Sequence, residues 1–154
     1  MTPTSLFDRI VAVVDGSAVS QPVVDGAASL AGQFDCELAG IFVIDAGWPD
    51  YIGNDWQSAK GARQGFLDHV QREQEEQAEK ARAQFTAATA GLPRSSFEAL
   101  GGDPIPTIVA LASDPATGLL VVSRRVFQVS GRPSLKSLAK TLAAKATQPL
   151  LLLP

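Results

Sequence analysis

Apolar residues along the chain are concentrated in five short runs, and these runs predict the strands of a sheet. They cover residues 10–14, 38–44, 96–100, 119–122 and 150–153. Four of the runs are apolar at almost every position, whereas residues 96–100 are a weaker match. Continuous apolar strands of this length are typical of a parallel sheet that is buried on both faces.

The segments between these runs predict four helices, because their apolar residues recur at steps of three and four. The helices are expected at about residues 20–32, 66–90, 103–114 and 134–146. Ser20, Asp103 and Ser134 stand at positions where a side chain often caps a helix. Gly32 is expected to end the first helix. In the second helix, Gln74 interrupts an otherwise apolar stripe.

The strict alternation of strands and helices predicts an α/β fold, a doubly wound five-stranded parallel sheet with helices on both faces. Right-handed crossover connections then restrict how the strands can be arranged. The chain has 154 residues, a length that suits a single domain over residues 1–154. The sequence shows neither an internal repeat nor a low-complexity segment.

One long segment, Ala46 to Gly61, breaks the alternation and is predicted to be a loop. Glycine, proline and asparagine punctuate it, and it holds Trp48, Tyr51 and Trp56. Loops of this length are often functional or mobile. One interpretation is a lid or a surface for a partner, since large aromatic side chains favour interfaces. The other is a loop that tucks onto the edge of the sheet.

Composition and charge argue against several classes of function. The net charge of −3 does not favour a general nucleic-acid binder, which needs a basic face. Cys36 is the only cysteine and His69 the only histidine. Neither an internal disulfide nor a cysteine-clustered or multi-histidine metal site is therefore expected. Cys36 itself is interpreted as a small buried hydrophobic residue.

The sequence also indicates where the protein resides. A single thiol suits a reducing compartment. No apolar run reaches the length of about 18 residues that a membrane span needs. Residues 1–8 lack the basic and apolar segments of a secretory signal. We therefore expect a cytoplasmic protein without membrane contact.

Four blocks of the sequence, in the correct order, resemble the universal stress protein family. They are residues 11–17, 102–105, 119–124 and 138–152. The blocks are similar to the family's first strand and turn, the turn before its third helix, its fourth strand, and its last helix with the closing strand. The likeness covers nearly the whole chain and is weakest in residues 46–61. It implies the strand order 3-2-1-4-5 and a homodimer built around the fifth strand.

The homodimer that the resemblance implies has a physical reason of its own. The final apolar run would be an edge strand whose outer backbone groups have no partner, and such an edge should be covered or paired. A two-fold copy of the same strand is the simplest cover. The contacting residues would be Leu150, Leu151, Leu152 and Leu153.

Ligands of a doubly wound sheet bind beyond the carboxyl ends of the strands, where the strand order reverses. With the implied order, this places a crevice between the first and fourth strands. The candidate ligand-binding residues there are Val14, Asp15, Val43, Val122, Ser123, Arg124, Arg125, Val126, Lys136, Ser137 and Leu138. Asp15 corresponds to the residue that contacts adenine or ribose in nucleotide-binding members of the family. Alternatively, it caps the turn after the first strand.

Nucleotide-binding members of the family carry three glycines after the fourth strand, and these let backbone N–H groups approach phosphates. An ungapped alignment puts Ser123, Val126 and Lys136 at the glycine positions. Val126 departs furthest, since a β-branched residue resists left-handed backbone geometry. The family's final serine or threonine is retained as Ser137, which either bonds a phosphate or is one more polar residue of the last helix.

The segment that has lost these glycines is basic. Its cationic residues are Arg124, Arg125, Arg132 and Lys136. One interpretation is a different anion site, in which arginine side chains replace the backbone N–H groups. The other is a solvated loop whose arginines pair with carboxylates.

The sequence contains no catalytic motif. Ser17 follows a strand as the serine of a nucleophile elbow would, but Asp15 and Val19 replace the glycines that such an elbow needs. A Walker-type phosphate loop is also missing. The sequence therefore predicts a non-enzymatic, dimeric stress-response protein that acts through protein contacts, without a cofactor and with weak or absent ATP binding. The alternative is a small-ligand sensor that binds ATP, AMP or another anion in the crevice.

Overall fold

The computed structural model describes residues 7–56, 61–124 and 138–154. Within them are five strands: β1 (Arg9–Val13), β2 (Glu37–Asp45), β3 (Ser95–Gly102), β4 (Leu119–Ser123) and β5 (Leu150–Leu153). The helices are α1 (Gln21–Phe34), α2 (Trp48–Ile52), α3 (Ala62–Ala88), α4 (Pro104–Ser113) and α5 (Leu138–Lys145), with a 3-10 turn at Pro115–Thr117. The expected cap of the last helix, Ser134, lies outside the described residues.

The five strands form one parallel sheet in the order β3-β2-β1-β4-β5, which confirms the predicted α/β fold. In the centre of the sheet, Val11 of β1 pairs with Ala39 of β2 and with Leu120 of β4. β1 and β4 are buried almost throughout. Helices on both faces allow apolar side chains at every position of these strands, which explains their unbroken apolar runs.

The helices cover the sheet in two pairs, with α1 against α3 and α4 against α5. The chain moves from β1 through β2 to β3 in one direction along the sheet, and from β3 to β4 and β5 in the other. Right-handed crossovers therefore place the two pairs of helices on opposite faces. The strand order reverses between β1 and β4, and the carboxyl ends of strands at such a reversal are where ligands of doubly wound sheets bind.

The helix ends differ from the sequence prediction. α1 continues past Gly32 and ends where Asp35 adopts the left-handed conformation, with φ of 51°. Ser20 and Asp103 stand at the N-cap positions of α1 and α4, but neither side chain makes a capping hydrogen bond. The Ser20 hydroxyl donates instead to Gln84 of α3 at 2.6 Å. The Ser20 hydroxyl thus bonds to α3 and does not make the expected capping bond to the first turn of α1.

Two further segments correct the sequence prediction. The expected loop at residues 46–61 contains helix α2, and α3 begins at Ala62 rather than at Phe66. Gly101 and Gly102, expected to form a turn, belong to β3 and pair with the last residues of β2. β2 and β3 therefore extend together to the point where the chain turns into α2.

Candidate functional site

The carboxyl ends of β1, β2 and β4 meet at one edge of the sheet and bring several predicted site residues together. Val14, Val43 and Val122 are buried there, each 2% exposed or less. Ser123 ends β4 and is also buried. Arg124 is therefore the first exposed residue after β4.

The remaining predicted site residues divide into two groups. Leu138, the first described residue of α5, belongs to the hydrophobic core. The others lie outside the described residues: Arg125, Val126, Lys136 and Ser137, together with the basic residue Arg132. The described part of the candidate site thus consists of the strand ends and the turn after β1.

Asp15 caps the turn that leads from β1 into α1. Its carboxylate Oδ1 accepts hydrogen bonds from the Ser17 N–H at 2.8 Å and from the Ser17 hydroxyl at 2.6 Å. The residue is only 5% exposed. This is an Asx turn, in which the aspartate side chain accepts a hydrogen bond from the backbone N–H two residues further along the chain. The geometry favours the interpretation of Asp15 as a turn residue.

Two glutamines of α3 hold the same turn. The Gln77 amide donates to the carbonyl oxygen of Asp15. The Gln84 amide donates to the carbonyl oxygen of Ser17 at 2.9 Å and accepts from the hydroxyl of Ser20 at 2.6 Å. These partners are 62 to 67 residues apart along the chain. Local sequence patterns do not reveal contacts between residues so far apart in the chain, so neither glutamine was predicted to contact the turn.

Gly16 lets α3 lie directly against the turn. Its φ of +79° lies in the left-handed region, which glycine adopts without steric cost. A Cβ at this position would be 2.7 Å from the backbone nitrogen of Ala81. Both the backbone conformation and the close packing therefore require glycine here.

Gln74 has the corresponding role at the end of β2. Its side-chain amide accepts from the Asp45 N–H and donates to the Asp45 carbonyl oxygen, the latter at 3.0 Å. Asp45 and Gln74 are both 4% exposed, so Gln74 supplies hydrogen-bond partners to a buried stretch of backbone. In the sequence, the signal for this role was that Gln74 is a polar residue in the otherwise apolar stripe of the second predicted helix. The sequence did not reveal that its partner is Asp45.

The aromatic segment after β2 folds onto α3. The Asp45 carboxylate accepts from the Gly47 N–H at 2.8 Å, and α2 begins at the next residue. Trp48 is 8% exposed and contacts the rings of Tyr51 and Phe66 edge-on, with centroids 5.5 and 5.7 Å away. Tyr51 itself is more than half exposed. The segment thus forms an aromatic cluster with α3 beside the carboxyl end of β2.

At the opposite side of the site, β4 leads to the edge strand β5. The Arg124 N–H donates to the Leu153 carbonyl oxygen at 2.7 Å, which ties the end of β4 to the end of β5. The four leucines of β5 are half-buried. The dimer contact expected at this strand stays a prediction.

Two reactive side chains, His69 and Cys36, show no catalytic arrangement. His69 is exposed on α3, and its Nε2 lies 3.2 Å from a Glu73 carboxylate oxygen. Burial, followed by the charge of Asp8, raises the pKa of the half-buried Cys36 thiol. A raised pKa lowers the fraction of reactive thiolate. Among the described residues, no group of three or more His, Cys, Asp or Glu side chains could hold a metal ion.

The model of the universal stress protein family matches residues 6–154 of this sequence. The chain belongs to this family. The match extends over β1 to β5 and includes the segments that showed the resemblance. A search of curated proteins finds no match.

Solved universal stress proteins share the fold of this one. UspA from Lactobacillus plantarum has a TM-score of 0.73 and 19% identity, with 98% of this chain and 100% of that chain covered. A universal stress protein in complex with cAMP has a TM-score of 0.63 and 21% identity, with 97% and 98% covered. The protein from Archaeoglobus fulgidus in complex with dAMP has a TM-score of 0.61 and 16% identity, with 97% and 100% covered.

One further property of this universal stress protein concerns membranes. As far as residues 7–56, 61–124 and 138–154 show, none of its helices combines the length and the hydrophobicity that a membrane-spanning segment needs.

Proposed function

We propose that this universal stress protein is a non-enzymatic, cytoplasmic homodimer that acts in the stress response through contacts with other proteins and binds ATP weakly or not at all. The proposal rests on the burial and the hydrogen bonds of Asp15. Its carboxylate is almost fully buried and is bonded to the turn that follows β1. By the resemblance to nucleotide-binding members of the family, this is the residue that would contact adenine or ribose.

A nucleotide that recruits Asp15 through Oδ1 has to compete with contacts inside the protein. A hydroxyl or amine that takes over Oδ1 replaces both hydrogen bonds from Ser17, and each bond to a charged group contributes about 1.5–3 kcal/mol. The turn cannot move toward a ligand without also losing the bond from Gln77 to the Asp15 carbonyl. The affinity for a nucleotide is reduced accordingly.

The segment after β4 supports the same proposal. Backbone N–H groups bind phosphates where glycine allows a close approach, and the family's three glycine positions are here Ser123, Val126 and Lys136. Ser123 is 3% exposed, and the next N–H, that of Arg124, is already donated to Leu153. This N–H is the first main-chain donor after β4, and it is not available to a phosphate because it is bonded to β5.

The absence of enzymatic activity is supported by the hydrogen bonds of Ser17. Its hydroxyl donates to Asp15 and accepts from the Val19 N–H at 3.2 Å. In a catalytic triad, a histidine removes the proton of the serine nucleophile. The single histidine of the sequence, His69, is exposed and lies next to Glu73 instead.

The proposed homodimer uses β5, because the two edges of the sheet differ in chemistry. β5 carries four half-buried leucines and no charge, whereas the opposite edge strand, β3, presents the exposed Glu98. Charged side chains protect an edge strand from pairing. β5 is therefore the edge at which a second copy of the chain can bury apolar surface.

A lysine at this edge should weaken the dimer. We expect that either Leu151→Lys or Leu152→Lys, whichever faces the partner, lowers dimer affinity at least about tenfold, equivalent to about 1.4 kcal/mol. Sedimentation velocity over a range of concentrations measures the effect, with Glu98→Lys as the matched control at the other edge. If both leucine variants sediment as unchanged dimers, the interface lies elsewhere.

A second candidate function is an anion sensor. Arg124 is exposed directly after β4, and the sequence supplies further cations at Arg125, Arg132 and Lys136. Two relatives of low identity are described in complex with cAMP or dAMP. In this proposal, guanidinium side chains replace backbone N–H groups as phosphate ligands.

Calorimetric titration with ATP and magnesium, and separately with AMP, distinguishes the two candidates. We expect no saturable heat below about 1 mM, which corresponds to about −4.1 kcal/mol. Submillimolar binding that disappears in Asp15→Ala would overturn the leading proposal. Binding that survives Asp15→Ala but is lost in Arg124→Ala would support the sensor. Asp25→Ala, at an exposed aspartate of α1, is the control and should behave as the wild type.

A further inference from the structure

A pocket of about 360 Å³ lies between α2 and α3 beside the carboxyl end of β2. Its walls include Ile44 of β2, Trp48 of α2, and Leu67 and Val70 of α3. Ligand pockets have volumes of roughly 300–1,000 Å³ and combine apolar walls with a few polar groups. β1 separates β2 from β4 in the sheet, so this pocket is a different place from the crevice between β1 and β4.

Contacts between α2 and α3 hold the pocket in shape. Arg63 of α3 donates from Nε to the carbonyl oxygen of Gly53, which directly follows α2, at 2.8 Å, and from Nη2 to the Pro49 carbonyl oxygen of α2 at 3.2 Å. Phe66 packs against the rings of Trp48 and Trp56, with centroids 5.7 and 5.9 Å away. A preformed pocket spares a ligand the entropic cost of ordering the protein.

One of the residues that line the pocket, Trp48, carries a hydrogen-bond donor on its side chain. The indole N–H of Trp48 is buried and makes no hydrogen bond within the described part of the chain. The neighbouring indole of Trp56, in contrast, donates to the Ile52 carbonyl oxygen at 3.3 Å. A buried donor without a partner is rare and costs about 1–3 kcal/mol. An acceptor supplied by a ligand would remove this cost.

The charge of the lining selects against anions. Among the described residues that line the pocket, Asp45 is the only charged one. The amides of Gln64 and Gln71 on the lining donate to further carboxylates of α3, at 2.8 and 3.2 Å. A phosphate or carboxylate ligand would meet the Asp45 charge here, and the nearby Arg63 guanidinium is already bonded to carbonyl oxygens of Pro49 and Gly53. An uncharged molecule avoids the cost of burying a charge.

From these observations we propose that the pocket binds a small, uncharged, planar molecule that carries one hydrogen-bond acceptor. The flat face of the molecule packs against Leu67 and Val70, and its edge meets Trp48, so that its acceptor lies near the plane of the indole and receives the Trp48 N–H. Because this N–H is covered in the structure, the indole turns slightly to meet the acceptor. The indole N–H resonance therefore reports the contact.

Three fluorinated probes of similar size test the proposal by fluorine NMR titration of the full chain. Para-fluoroacetophenone has a planar ring and a carbonyl acceptor, para-fluoroethylbenzene lacks the acceptor, and para-fluorobenzoate carries a negative charge. We expect the ketone to bind about threefold to tenfold more tightly than the ethyl compound, as one additional hydrogen bond allows. We expect the benzoate to bind at least about tenfold more weakly than the ketone, because its charge must be buried.

Two tryptophan variants test whether the preference for the ketone over the ethyl compound comes from the Trp48 N–H. Trp48→Phe keeps an aromatic ring but removes the donor, so it should bind the ketone and the ethyl compound equally. Trp56→Phe, whose indole is not part of the pocket lining, should keep the wild-type preference. In proton–nitrogen spectra of the wild type, the ketone should shift the Trp48 indole signal and leave that of Trp56 in place. This last measurement does not depend on the folding of any variant.

Three results would overturn the proposal. The first is the lack of saturable binding of the ketone below about 1 mM. The second is equal affinity for the ketone and the ethyl compound in the wild type, or a ketone preference that survives Trp48→Phe. The third is a benzoate that binds as tightly as the ketone. None of these results depends on whether the protein binds ATP.

Discussion

The turn after β1 and the segment after β2 both begin at the carboxyl edge of the sheet, and glutamines of α3 contact both. Gln77 and Gln84 bind the turn after β1, and Gln74 binds the end of β2. After β1, the polar groups of Asp15 and Ser17 are bonded within the protein, and Gly16 lies directly against the α3 backbone. After β2, the indole of Trp48 has a buried N–H that finds no partner in the described part of the chain, and a pocket of about 360 Å³ lies beside it.

The comparison shows that a place at the carboxyl edge of the sheet does not by itself decide whether a strand end can bind a ligand. At β1, a residue without a side chain brings a helix into contact and closes the turn. At β2, the rings of Trp48 and Phe66 pack against each other, and a pocket remains between α2 and α3. We therefore expect this protein to bind ligands more readily beside β2 than at Asp15.

The largest effect is expected from a methyl group at Gly16. Gly16→Ala adds strain of about 1–2 kcal/mol from the positive φ and overpacking of about 1–3 kcal/mol against α3. The free energy of unfolding in urea should therefore fall by about 2–5 kcal/mol. Gly61→Ala is the control, because Gly61 has a φ of +88° but, among the described residues other than its chain neighbours, no atom lies within 4 Å of the place that a Cβ would occupy. Equal losses in both variants would contradict the close packing of α3 on the turn.

A smaller effect is expected from the glutamine at the end of β2. Gln74→Leu has nearly the same size but removes the two hydrogen bonds that Gln74 makes with the Asp45 N–H and carbonyl oxygen, at a cost of about 2–3 kcal/mol of unfolding free energy. Gln71→Leu, at an exposed position of the same helix, should change it by less than about 0.5 kcal/mol. Urea unfolding measures both variants. A Gln74→Leu protein as stable as the Gln71→Leu protein would show that this backbone contact is dispensable.

Much of the fold could be predicted from the sequence, because β1 and β4 are buried on both faces and their apolar runs are continuous. β3 gave a weaker signal since it is an edge strand with exposed Ser96 and Glu98. The order of the strands came from the family resemblance, as alternation alone permits several arrangements. α2 was missed because five residues flanked by glycines are too few for a periodic pattern, and its position depends on contacts with Phe66.

The candidate site was less predictable. The sequence identified Asp15 and left its role open between ligand contact and turn cap, since both interpretations fit an aspartate after a strand. The bonds from Ser17 to the Asp15 carboxylate favour the turn, and only the folded chain brings Gln77 to Asp15 and Gln84 to Ser17. The buried N–H of Trp48 likewise results from the packing of α2 on α3, which no pattern of residues reveals.

The central claim is that the Asp15 turn is closed to nucleotides. Proton–nitrogen spectra of the wild-type protein, titrated with magnesium ATP up to about 5 mM, test it most directly because the Ser17 N–H is bonded to the Asp15 carboxylate. We predict that the Ser17 amide resonance stays in place throughout the titration. A saturable shift of the Ser17 and Asp15 amides together, with a dissociation constant below about 1 mM, would contradict the claim.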